Sequence, residues 1–157
     1  MDVPKTVKVL KNSYFTQLIP AIILLGLTFF MRYEMNLFVN ARTSSLTVQV
    51  LIITLAGLMA VAFPVFYRSF FAYKVRNKKQ ISPDAFLSFE RTLVTAALLT
   101  PYFLIVSVVL NMPQTVLILI TLFALYGAYF FYPSQKRIIF DMKTFRIKPT
   151  TGQNQVL

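Results

Sequence analysis

LTVQVLIITLAGLMAVAFPVF, residues 46–66, decides the fold class. From Leu46 to Phe66 it holds no Asp, Glu, Lys or Arg. A helix needs about 20 apolar residues to cross bilayer hydrocarbon, whereas a spanning strand needs about 9–11 and alternates in polarity. The stretch is too long for a strand and does not alternate, so it predicts a transmembrane helix.

Three more runs on either side have the same character: Phe15–Met31, Leu93–Met112 and Thr115–Tyr132. With their flanks, spans are expected near 15–33, 46–67, 90–112 and 114–132, and 133–157 forms a tail. The predicted fold is all-α and integral to a membrane: a single domain, residues 1–157, with four transmembrane helices in an antiparallel bundle. Composition agrees, because the chain is 57% hydrophobic and only 13% charged, where soluble domains are nearer a quarter charged. The two pairs of spans do not resemble each other, so an inverted internal repeat is not expected.

Basic residues set the orientation. Lys5, Lys8 and Lys11 precede the first span, and Arg68, Lys74, Arg76, Lys78, Lys79 and Arg91 lie around the second loop. Lys136, Arg137, Lys143, Arg146 and Lys148 follow the fourth. Both termini and the second loop are therefore expected in the cytoplasm. The first loop holds Arg32 and Arg42 beside Glu34, and the third holds no charge. The first span has a basic start, but Arg32 and Glu34 separate its apolar core from the small residues at 39–41. An uncleaved helix is expected rather than a signal peptide.

The net charge of +11 would point to nucleic acid on a soluble domain. Here the cations cluster between apolar runs, which fits an anionic leaflet, probed by Lys74, Arg76, Lys78, Lys79, Arg91, Lys136 and Arg137. The expected partners are anionic phospholipid headgroups and other membrane subunits or copies of the chain, with no nucleic acid. Both tails read as basic, amphipathic surface helices. In the second, Ile138, Met142 and Phe145 share a face, although Phe145 and Ile147 also alternate as in a strand.

The chain has no Cys and no His, which excludes thiolate or imidazole nucleophiles, disulfides and His-ligated haem. No Gly-rich phosphate loop and no metal-ligand spacing appears. No catalytic residue, metal ligand or cofactor is assigned. Ala56 and Ala60, and Ala124 and Ala128, are four apart beside Gly57 and Gly127 and read as helix-packing faces. Pro101 is expected to bend the third span, with the Thr100 hydroxyl answering the carbonyl it frees.

Ser82-Pro83-Asp84 reads as a helix start: a capping hydroxyl, a proline at the first position and an acid at the positive end of the dipole. At 100° per residue, Phe86, Glu90, Leu93, Val94 and Ala97 share one face, and Asp84, Ser88, Arg91 and Thr95 another. Glu90 thus points inward and needs a cation. Arg68 closes the preceding antiparallel helix at the same depth, so an Arg68–Glu90 pair is expected at the cytoplasmic mouth. Three functions follow in order: a non-catalytic subunit or scaffold, an oligomeric transporter or channel gated by that pair, and a lipid-modifying enzyme with Glu90 as base.

Overall fold

The computed structural model describes residues 2–35, 44–76 and 81–147. Among these residues every regular element is a helix. They are α1 (Val3–Tyr33), α2 (Leu46–Gly57), a π turn (Leu58–Ala62), α3 (Phe63–Val75), α4 (Pro83–Leu98), α5 (Thr100–Val109), α6 (Gln114–Phe130) and α7 (Gln135–Thr144). Val3–Tyr33, Leu46–Val75 and Pro83–Val109 are each long and apolar enough to cross a membrane. A fourth candidate is found by length and composition when α6 and α7, bent 77° from each other, are taken together. The chain is a multi-pass membrane protein by these helices.

The N-terminal tail does not lie apart from the first span. It continues into it as one helix, because Asp2 accepts from the Lys5 amide and Pro4 sits in the first turn. Thr6, Val7, Leu10 and Tyr14 are buried along its inner side.

Two prolines shape the long helices. Pro64 lacks an N–H, and its ring crowds the carbonyl four residues back, at Ala60. The helix widens just before it into the π turn, where the Phe63 amide reaches back to the Leu58 carbonyl. The buried residues Ile52, Ala56, Ala60 and Pro64 are spaced by four. On a regular α-helix that spacing drifts about 40° per step. The extra residue in the π turn absorbs the drift and holds all four on one side.

Pro101 breaks the third long helix at Leu99. It deprives the Ala97 carbonyl of its helical donor. The Thr100 hydroxyl does not compensate, since its oxygen is buried with no hydrogen-bond partner. The carbonyl instead faces α6: a Cβ on Gly127 would come within 2.9 Å of it. A glycine is needed for this approach. Ala56, Ala60 and Ala124 are buried, and Ala128 is half-buried and receives the Tyr14 hydroxyl on its carbonyl at 2.8 Å.

The remaining polar groups are largely spent within the protein. Thr28, Thr54, Ser107 and Thr121 each donate to the carbonyl four residues back. Gln17 donates to Thr95 at 3.0 Å, and Tyr102 donates to the Gln17 carbonyl at 2.9 Å. These bonds tie α1 to α4 and α5. At the opposite end Arg32 donates to the Val108 carbonyl at 3.1 Å and to Asn111 Oδ1 at 2.9 Å. It closes the C-terminus of α5, where Asn111 turns the chain with a φ of 49°. Arg42, which shares the first loop with Glu34, lies outside the described residues.

Candidate functional site: a cluster of two arginines and two acids

The first turns of α1, the end of α3, the inward side of α4 and the inner face of α7 meet in one core. Ser82 caps α4, accepting from the Ala85 amide, so Glu90 falls on the inward face between Phe86 and Leu93. Asp84, Ser88, Arg91 and Thr95 are exposed, as the wheel requires. After α6 the chain reaches Pro133, and Ser134 starts α7 by accepting from the Arg137 amide at 3.2 Å. Arg137 and Asp141 then lie one turn apart on α7, beside the buried Ile138 and Met142.

Glu90 and Asp141 are each 1% exposed. Arg137 Nη2 donates to Glu90 Oε2 at 3.0 Å. Arg137 Nε lies 3.7 Å from Asp141 Oδ2, an ion-pair distance too long for a hydrogen bond. Arg68 Nη2 donates to Asp141 Oδ1. The expected Arg68–Glu90 pair is thus replaced by two crossed pairs, Arg137 with Glu90 and Arg68 with Asp141. Two arginines and two carboxyl groups thus meet in one cluster. The reason for the difference is topological: α7 folds back between the partners that adjacency of α3 and α4 would have joined.

Arg137, expected to touch lipid, is largely covered, and its guanidinium lies 5.1 Å from the centre of the Phe131 ring. Arg68 forms the open edge, its side chain 36% exposed. The walls are aromatic. Phe71 stacks on Phe89 at 4.1 Å, Tyr67 on Phe89 at 5.5 Å, and Phe145 meets Phe71 edge-on at 5.2 Å. Such walls lower the local dielectric, strengthening the pairs and penalising any lost partner. Glu90 Oε1 and Arg137 Nη1 remain buried without a hydrogen-bond partner.

Lys74, Arg76, Arg91 and Lys136 are exposed around this end, with Lys5, Lys8, Lys143 and Arg146. Lys78 and Lys79 lie outside the described residues. Sequence reasoning missed Asp141. The signal was present, because Asp141 falls between Ile138, Met142 and Phe145 on the face already read as apolar, just as Glu90 does on α4. In comparisons with protein families, curated proteins and solved structures, the chain matches none.

Proposed function

We propose that the protein is a non-catalytic subunit of a membrane complex, or a homo-oligomeric scaffold. In this reading four spans form an antiparallel bundle in a bacterial cytoplasmic membrane. Both termini and the basic end face the cytoplasm, against anionic headgroups. The observation that carries it is the cluster. Arg68, at the open edge, pairs with Asp141, and Arg137 pairs with Glu90 and reaches Asp141, so the cluster fastens α7 to its neighbours. Ionisable groups used in this way brace a structure. The hydroxyls bonded to their own helices support the same reading, because a transport path through a membrane is lined with polar groups directed into it.

The test is extraction into native-lipid nanodiscs through an affinity tag, followed by crosslinking and mass spectrometry. A stoichiometric partner or a defined homo-oligomer is expected. A monomer without a stoichiometric partner overturns the proposal.

One observation favours a second reading. Glu90 Oε1 is a buried acceptor with no donor, and Arg68 leads from it toward solvent. This suits an oligomeric transporter or channel whose cytoplasmic gate is built on Glu90 and Arg68. Reconstituted protein would then pass ions or solute, and Glu90→Gln would abolish the flux while the helical content stays intact.

A further inference from the structure

α6 is too short to reach as far as its neighbours. Its 17 residues rise about 25 Å, against roughly 46 Å for the 31 residues of α1. α7 fills the corner that α6 leaves. It lies beside the neighbouring helices rather than over their tips, packing with Val7 and Leu10 of α1, Phe71 of α3, and Phe86 and Phe89 of α4. The 77° bend sets α7 nearly along the membrane surface when α6 crosses it.

The two faces of α7 differ in kind. Ile138, Asp141 and Met142 are buried against the protein. On the opposite side Phe140 is 65% exposed and Ile139 39%, between the exposed Lys136 and Lys143. The acid of this helix, Asp141, is turned inward and paired with Arg68, so the outer face presents apolar and basic groups and no acid. An exposed phenylalanine between two lysines is matched by a headgroup layer, where the ring enters the acyl boundary and the ammonium groups meet phosphates. The neighbouring end of α3 repeats the pattern with Phe70, Tyr73, Lys74 and Arg76, all exposed.

We infer that α7 is an in-plane anchor whose outer face, Lys136, Ile139, Phe140 and Lys143, takes anionic phospholipid headgroups, while its inner face is held at fixed depth by the buried charge cluster. The inference rests on the membrane reading of the long helices.

The chain contains no tryptophan, so Phe140→Trp gives a single fluorescent reporter in the full protein. It is placed in nanodiscs of phosphatidylcholine alone, or of phosphatidylcholine with phosphatidylglycerol. In the anionic discs the emission is expected to shift to the blue and to lose most of its intensity to a spin label near the headgroup. Lys136→Glu with Lys143→Glu in the same background is expected to remove that shift. A water-like emission quenched by acrylamide in both discs overturns the proposal, as a face turned to water or to a soluble protein would give. Equal lipid quenching in the two compositions overturns the anionic preference. A second reporter, Leu122→Trp on the exposed side of α6, separates the two readings. If an acyl-chain label quenches the α6 reporter while the α7 reporter stays in water, the anchor fails and the membrane reading stands. If neither is quenched by lipid, the membrane reading fails as well.

Discussion

Arg137 Nη2 lies 3.0 Å from Glu90 Oε2, joining helices 47 positions apart in sequence. The bond is shielded by Phe131, whose ring lies under the guanidinium, and its acceptor is closed to solvent. Asp141 reaches the same guanidinium from one turn further along α7 and hands its other oxygen to Arg68. α7 is thereby fastened to both α3 and α4.

Removing Arg137 leaves two buried carboxylates facing one cation. Arg137→Ala is expected to cost about 3–5 kcal/mol, the range for breaking a buried pair from one side. Glu90→Leu combined with Arg137→Leu leaves Arg68 and Asp141 balanced, and is expected to recover most of that loss. Detergent-induced unfolding followed by circular dichroism measures both. Additive losses in the double variant would show that the pair is not coupled.

Asp141→Asn keeps the shape of the side chain and removes the charge that holds Arg68. α7 is expected to open more often, by roughly 2 kcal/mol or about 30-fold, the scale for a hydrogen bond to a charged group. Hydrogen exchange of residues 135–144 should speed up by that factor while residues 114–130 stay protected. An unchanged rate over 135–144 would mean that apolar contacts alone hold the helix.

Gly127 and Gly26 separate packing from propensity. An added Cβ at Gly127 meets the Ala97 carbonyl at 2.9 Å, whereas at Gly26 it meets nothing within 4 Å. Gly127→Ala is expected to destabilise by about 1–3 kcal/mol through overpacking. Gly26→Ala is expected to be neutral or to stabilise by up to about 1 kcal/mol from helix propensity. The same unfolding assay compares them, and equal effects would contradict the close approach of α6 to α4.

Arg32 closes the far end of the molecule with two hydrogen bonds, to Val108 and Asn111. Arg32→Ala is expected to cost about 1.5–3 kcal/mol, as for loss of a charged donor. Hydrogen exchange at the last turn of α5 should rise with it. Protection there that does not change would show that α5 ends without help from α1.

Much of this was legible in the sequence, and the limits have physical causes. Charge-free runs of spanning length mark the long helices, because nothing else tolerates them. The Ser82 cap and the inward face of Glu90 follow from local geometry alone. The partner of Glu90 does not. Arg68 is the nearest cation by connectivity, but Arg137 arrives from a helix that turns back after Pro133. A turn of 77° leaves little trace in a hydropathy pattern. The expected role for Thr100 failed for a similar reason: the carbonyl freed by Pro101 met the bare backbone of Gly127, on another helix.

The π turn at Leu58–Ala62 gives the second long helix one residue more than its packing face requires. Without one residue of that turn, a regular helix would carry Ile52 and the shifted Pro64 eleven positions apart, within about 20° of each other. A one-residue deletion there therefore leaves the heading of every later side chain nearly unchanged. The same deletion between Val65 and Arg68 would rotate Arg68 by about 100° relative to the preceding turns and carry it away from Asp141. A one-residue deletion is thus absorbed at the wide turn, and the charge cluster beyond it keeps its alignment.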